Sequence, residues 1–321
     1  MHIIDKILEG DILALSRIIK KIENEDEEID PIITGLQPAL GKAIKIGITG
    51  PAGVGKSSLV DKLICEIRKS NLSIGVIAVD PTSPFTGGAV LGDRIRMQQH
   101  FNDPGVYIRS MGSRGGRGGL PRTAGAVIKV LDAFGKDIIL IETVGVGQTE
   151  IEITKMADTV VVILSPECGD EVQTIKAGIL EIADVFAINK ADRPGADDLV
   201  NCIDSMIKQN KKDRWSIPIV ETIAVENKGI HTLYEHIANH VEYLKITGEI
   251  NVRRKKQLRN EFIANVTHHF VYSLIDAIEK NAELNNYIAL VERGDISPYT
   301  AARKLIIQLK KAYLEYVYQN K

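Results

Sequence analysis

The sequence predicts an α/β fold, a mostly parallel central sheet with helices on both faces. Three observations carry that reading. Short apolar runs recur at 44–49, 74–79, 138–141, 160–164, 185–188 and 219–223. Helical patterns separate most of them, and strands alternating with helices imply parallel pairing. Both ends of the chain carry helical periodicity alone, so the sheet is flanked by helical extensions. The expected division is a helical N-terminal extension over 1–40, a sheet domain over 41–248 and a helical C-terminal arm over 249–321. Ligands in such folds sit at the carboxyl ends of the strands.

In chain order, Ile3, Ile4, Ile7 and Leu8, then Leu15, Ile18, Ile19 and Ile22, recur at spacings of three and four. They predict amphipathic helix, broken near Gly10. Glu23 to Asp30 is acidic and is followed by Pro31, Gly35 and Pro38, which reads as a solvated connector. Residues 87–125 hold ten of the 27 glycines. Ordering such a stretch loses unusual entropy. Its arginines, Arg94, Arg96, Arg109, Arg114, Arg117 and Arg122, predict an anion-facing switch.

Beyond Asn251, the residues Leu258, Phe262, Val266, Phe270, Leu274 and Ile278 recur every four positions, one apolar stripe on a long helix. A second helical pattern runs from Ala301 to Val317. The final 71 residues hold eight of the sixteen aromatics. That apolar load points to a subunit interface. Arg253, Arg254, Lys255 and Lys256 read as a solvated helix start. His236 and His240, four apart, read as surface histidines and not as a metal pair.

The 321 residues are 44% hydrophobic and 26% charged, a globular composition. Lys+Arg 40 against Asp+Glu 42 gives a net charge of −2. That argues against nucleic-acid partners and polybasic membrane binding, which need excess positive charge. No apolar run approaches the roughly 20 residues of a membrane span. Cys65, Cys168 and Cys202 match no metal or disulfide spacing, and the start lacks a signal-peptide pattern, so a reduced, cytoplasmic protein is expected.

The chemistry is concentrated in four places. Gly50-Pro-Ala-Gly-Val-Gly-Lys-Ser57 follows a predicted strand and opens a helix, the full P-loop pattern in its required context. The chain therefore reads as a P-loop NTPase. Glycines let backbone N–H groups close around phosphate oxygens, and the helix N-terminus adds a favourable dipole. Gly50, Gly53, Val54, Gly55, Lys56, Ser57 and Ser58 are the candidate phosphate-binding residues. Lys56 is expected to reach the β/γ-phosphates, and the Ser57 hydroxyl to ligate Mg²⁺.

Asn189-Lys190-Ala191-Asp192 follows the run at 185–188. In P-loop GTPases this pattern selects guanine. The Asp192 carboxylate accepts from the N1–H and N2–H₂ donors, a pair adenine lacks, and a buried acceptor left unpaired is costly. GTP and GDP are thus the expected nucleotides. Thr222 and Ala224, after the last run, are placed to cover the base.

Glu142-Thr-Val-Gly145 ends the run at 138–141. Glu142 suits a Walker-B position near Mg²⁺, and Gly145 is suited to sense the γ-phosphate through its N–H. Lys56, Glu142 and Gly145 are the catalytic candidates. Asp80 and Asp93 are further Mg²⁺-side candidates, although Mg²⁺ takes only one or two carboxylates and keeps waters. Val146 follows Gly145, where many small GTPases carry a water-orienting glutamine; Gln148 is two residues later. Slow intrinsic hydrolysis is expected.

Val79-Asp-Pro-Thr-Ser-Pro-Phe-Thr-Gly-Gly88, Leu91-Gly-Asp-Arg94, Arg109-Ser-Met111, Gly118-Gly-Leu120, Glu142-Thr-Val-Gly-Val-Gly-Gln148, Asn189-Lys-Ala-Asp192 and Gly294-Asp-Ile-Ser-Pro-Tyr299 together resemble the MeaB/ArgK family of GTPases, called MMAA in mammals. The resemblance covers nearly the whole chain. It implies a homodimer and a chaperone of adenosylcobalamin-dependent methylmalonyl-CoA mutase, whose GTP state gates cofactor loading and which protects or reactivates the mutase. It assigns Mg²⁺-site roles to Asp80, Asp93 and Glu142, and partner coupling to Asp170, Gln173 and Lys176. The chain departs from the family's usual Pro-Gly before Gly169-Asp170, having Pro166-Glu167-Cys168, and Arg117 and Pro121 are also unusual. A related acyl-CoA mutase therefore stays open as the client. The competing readings are an ATP-dependent kinase linked to amino-acid transport, against which Asn189–Asp192 speaks, and a metal-insertion GTPase.

Overall fold

The computed structural model describes residues 3–24, 26, 29–80, 97–112, 120–121, 123–144, 152–168, 179–209 and 215–319. Among them, β-branched and aliphatic runs form seven strands: β1 (Ile44–Thr49), β2 (Ile74–Asp80), β3 (Val106–Gly112), β4 (Ile138–Glu142), β5 (Thr159–Leu164), β6 (Val185–Asn189) and β7 (Ile219–Thr222). All pair in parallel in the order β3-β2-β4-β1-β5-β6-β7. β4 and β5 are buried along their whole length. That is the reason for their unbroken apolar sequences: helices cover both faces of a parallel sheet.

β1 is the centre of this order. The chain leaves it toward β2 and β3 on one side, returns through β4, then crosses to β5 on the other. The carboxyl end of β1 is thus a topological switch point, where ligands bind in such sheets. Gly47 within β1 has its own reason: a Cβ there would lie 2.4 Å from the Ile153 side chain packed on the sheet.

Six of the strands fall on the predicted runs. β3 does not. It lies inside the glycine-rich stretch read as a switch, and it is an edge strand, half-buried, with Arg109 and Ser110 in its middle. Arg109 pairs with the Glu23 carboxylate, so its guanidinium is engaged in tying β3 to the helix that Glu23 ends, which corrects its place among the switch arginines.

Glu23 ends α2 (Ile12–Glu23), which follows α1 (Ile3–Leu8) after a break at Gly10 and precedes α3 (Ile29–Leu36). Asp11 caps α2 by accepting from Leu13 N at 2.8 Å and Ala14 N at 3.0 Å. Leu15, Ile18, Ile19 and Ile22 form the buried stripe of α2. They belong to the same apolar core as the sheet. The acidic connector is correspondingly short, because Pro31 and Gly35 lie inside α3.

The remaining helices are α4 (Lys56–Arg68), α5 (Ala124–Ala133), the single turn α6 (Ile179–Ile182), α7 (Ala196–Gln209), α8 (Ile230–Ile246), α9 (Glu249–Lys280), α10 (Ala282–Glu292) and α11 (Pro298–Gln319). The chain divides into two compact units, 1–257 and 258–321. The start of α9 belongs to the first unit, where Arg253 and Arg254 are anchors, against the expectation of a solvated helix start. Arg254 makes a two-pronged pair with Asp158, 3.0 and 2.7 Å, and donates to the carbonyls of Gly41 and Ala43. Arg253 makes the same kind of pair with Asp184, 2.8 Å on each oxygen. Asp158 and Asp184 precede β5 and β6, at the end of the sheet away from the P-loop.

His240 lies in this same region and is 0% exposed, which corrects its reading as a surface residue. Its Nδ1 is 2.9 Å from Thr159 Oγ1, its Nε2 is 3.3 Å from Asp184 Oδ1, and Trp215 packs on the ring. Burial pushes its pKa down to about 4, opposed by Asp184 and reinforced by Arg253.

In the second unit, α10 and α11 pack together around Leu284 and Ala301, with Tyr287 donating to Gln308 at 3.2 Å. Leu258, Phe262, Val266 and Phe270 of the predicted stripe are each more than half exposed. Among the described residues, no helix is long and apolar enough to cross a membrane.

Candidate functional site

The P-loop leaves β1 at Thr49 and enters α4 at Lys56. Two of its glycines are required by contact as well as by conformation. Gly50 has φ +145°, and a Cβ on it would stand 2.0 Å from the Ile163 carbonyl oxygen of β5. Gly55 has φ +94°, and its Cβ would stand 2.4 Å from the Asn189 amide nitrogen. The loop is thereby pressed against the ends of β5 and β6. Lys56, 8% exposed, curls back and donates to the carbonyls of Gly50 at 3.0 Å and Pro51 at 2.9 Å. A cation is thus fixed inside the loop, beside the positive end of α4.

Ser57 and Glu142 are both buried, and the Ser57 hydroxyl donates to Glu142 Oε1 at 2.7 Å. This joins the first turn of α4 to the end of β4. Next to it, Thr49 Oγ1 and Thr143 Oγ1 are 2.9 Å apart, and Thr143 N donates to Ile48 O at 3.1 Å. A hydroxyl and a carboxylate at the phosphate loop are hard oxygen donors of the kind Mg²⁺ takes. Asp80 ends β2, two residues past Ala78, which is in register with Glu142. Its backbone therefore lies at the same edge of the sheet.

Asn189 ends β6 and braces three segments. Its Nδ2 donates to Val54 O at 2.8 Å, and its Oδ1 accepts from Ala224 N at 3.1 Å and Thr222 Oγ1 at 3.2 Å. Residues 190–193 make a tight turn closed by Arg193 N donating to Lys190 O at 3.0 Å, while Ala191 N donates to Thr222 O at 3.1 Å. Lys190 holds a left-handed backbone, φ +59°. Asp192 is exposed at the tip of this turn.

The structure thus brings Gly50, Gly53, Val54, Gly55, Lys56, Ser57, Ser58, Glu142, Asn189, Lys190, Asp192, Thr222 and Ala224 to one edge of the sheet, although they come from four separate stretches of chain. Asp93, Gly145, Asp170, Gln173 and Lys176 lie outside the described residues, as do Val146 and Gln148. Sequence reasoning did not find two further contributors. Glu167 and Arg193 meet beside Lys190, and Asp61, one turn after Ser57 on α4, holds His100 Nε2 at 3.0 Å and Gln99 Nε2 at 2.7 Å. Glu167 was visible only as a departure from a pattern, and the Asp61–His100 pair left no local signal.

The family model of the methylmalonyl Co-A mutase-associated GTPase MeaB matches residues 15–279. A relative from Pyrococcus abyssi is 48% identical over 312 residues, 96% of each chain. The GTPase ArgK of Escherichia coli is 29% identical over 325 residues, 97% of each chain. The mouse mitochondrial methylmalonic aciduria type A homolog is 31% identical over 282 residues, covering 84% of this chain and 66% of its own. A crystal structure of an LAO/AO transport system kinase superposes with a TM-score of 0.69 at 23% identity, covering 96% of each chain, and shares the fold.

Proposed function

Because the chain belongs to the methylmalonyl-CoA mutase-associated GTPase family, MeaB, we propose that it is a chaperone of an adenosylcobalamin-dependent acyl-CoA mutase, with methylmalonyl-CoA mutase the first candidate. The P-loop GTPase fold is the part it shares with its relatives. The client role is our reading, and the family match over 15–279 is the observation that carries it. In this reading the protein acts in the cytoplasm, gates cofactor loading by its nucleotide state, and protects or reactivates the mutase.

In the proposed mechanism, P-loop amides and the Lys56 ammonium bind the phosphates of GTP or GDP. The Ser57–Glu142 pair suits Mg²⁺, with Asp80 and Asp93 as further oxygen donors; bound Mg²⁺ neutralises charge on the phosphates. Asp192 reads the guanine edge, Lys190 walls the base, and Thr222 and Ala224 cover it. The Gly145 N–H senses the γ-phosphate. Hydrolysis is slow because the Val146 side chain carries no hydrogen-bonding group to orient water, and the client completes the site. Asp170, Gln173 and Lys176 carry the nucleotide state to the mutase. A homodimer forms through the second unit, supported by the exposed Leu258, Phe262, Val266 and Phe270.

The test is a pull-down from native lysate, run in parallel with GDP and a non-hydrolysable GTP analogue, with bound proteins identified by mass. Nucleotide-dependent capture of a cobalamin-dependent acyl-CoA mutase is expected. Capture of a transporter or a metalloenzyme-maturation component, and no mutase, overturns the client assignment.

A further inference from the structure

We propose that Glu167 is a positioning residue of the guanine subsite, clamping Lys190 and Arg193 so that guanine nucleotide leaves slowly. The inference rests on the guanine reading of Asn189–Asp192 given above, and deepens it.

β5 and β6 are neighbours in parallel register, with Leu164 opposite Ile188. The segments that follow them therefore emerge side by side. After β5 comes the short turn Pro166–Cys168, and after β6 the turn at 190–193. Glu167 Oε2 takes Lys190 Nζ at 2.6 Å, and Oε1 takes the Arg193 guanidinium. One carboxylate thus binds the cations at both ends of a single tight turn.

Single exposed ion pairs contribute little. Three features make this one matter. The two pairs share an acid, so each holds the other in place. Lys190 is 27% exposed at its side chain, less than Glu167 at 43% and Arg193 at 52%, so its pair is the less screened of the two. And Lys190 occupies a left-handed backbone region that lysine seldom adopts, so its side chain direction depends on what surrounds it. With Ala191 N pinned to Thr222 O, the Glu167 clamp sets where the Lys190 stem lies, between the base-reading residues Asn189 and Asp192.

The experiment follows release of a fluorescent GDP analogue from the full-length protein, for wild type, Glu167→Gln, Glu167→Asp and Arg193→Gln. Glu167→Gln is expected to release about two- to fivefold faster, the range set by exposed ion-pair coupling. Wild-type release is expected to accelerate with added salt as the pairs are screened, and Glu167→Gln to respond much less. Glu167→Asp restores part of the wild-type rate, and Glu167→Gln/Arg193→Gln is less than additive. Binding of inorganic pyrophosphate, which uses the phosphate half alone, keeps its wild-type affinity. Release from Glu167→Gln at the wild-type rate in low salt overturns the proposal. So does an equal loss of pyrophosphate affinity, which indicates a general disturbance. If wild type holds ADP as tightly as GDP, the guanine reading itself falls and takes this one with it.

Discussion

Asn189 is the residue on which the site's geometry converges, and replacing it tests whether the P-loop and the base-side loops are braced together. Asn189→Ala removes one donated and two accepted hydrogen bonds, 2.8 to 3.2 Å long, whose partners Val54, Thr222 and Ala224 are all buried. At about 1 kcal/mol net for each bond, the expected loss is about 3 kcal/mol. Asn189→Asp is a sharper probe. It retains an acceptor for Ala224 N but sets a carboxylate oxygen against the Val54 carbonyl, so it is expected to cost at least as much at neutral pH. Gly55 adds a coupling test, since its missing Cβ is what admits the Asn189 amide. Gly55→Ala should therefore be less damaging in the Asn189→Ala background, by about 1 kcal/mol. Guanidinium unfolding at constant slope measures the stabilities, and titration with GDP measures the site, where about a tenfold loss of affinity is expected. A loss below about 0.5 kcal/mol, with Gly55→Ala strictly additive, would refute the idea that Asn189 is a brace.

Other consequences are open to measurement. Lys56→Ala should lower GTP affinity by more than about a hundredfold, the scale for deleting a buried charge from its partner, while circular dichroism stays unchanged because the Nζ contacts only loop carbonyls. Arg254→Ala leaves the fully buried Asp158 with Lys45, at 3.5 Å, as its remaining ion-pair partner among the described residues; a cost of about 3 kcal/mol is expected in denaturant unfolding, and a change within error shows that the start of α9 is not an anchor. His240 is held at a pKa of about 4 against 6.5 when unfolded. The unfolded chain therefore binds the proton first, so stability is complete above pH 6.5 and falls as pH drops toward 4, by about 3 kcal/mol in all. The difference in stability between wild type and His240→Gln, followed across that window, should shrink by this amount; a pH-independent difference contradicts the buried neutral imidazole.

The strands most plainly legible in the sequence are those buried on both faces. Thr159–Leu164 and Ile138–Glu142 meet no water on either side, so their residue types are dictated by burial alone. β3 was hidden because Arg109 and Ser110 break its apolar run and resemble the loop around them, whereas β7, the other edge strand, keeps Ile219 and Val220 together and was legible. His240 was misread for another reason: a polar side chain on α8 is buried where its neighbours Thr159, in β5, and Asp184, just before β6, come from distant segments, and a local window cannot see them. The same holds for Arg253 and Arg254, whose partners lie far back in the chain.

The candidate site divides along the same line. The phosphate-loop pattern and the candidate guanine motif are each built from consecutive residues, because a helix N-terminus and a tight turn are local structures, and local structures are written in adjacent letters. The sequence by itself therefore determined the nucleotide-binding character of the protein and the parallel sheet that carries it. Which turns face one another was decided only by the strand order. Placing β1 between β4 and β5, and β6 next to β5, is what joins Ser57 to Glu142, Asn189 to Val54, and Glu167 to Lys190. Those contacts are made across the sheet between residues far apart in the chain, and their energy depends on packing that no short stretch of sequence contains.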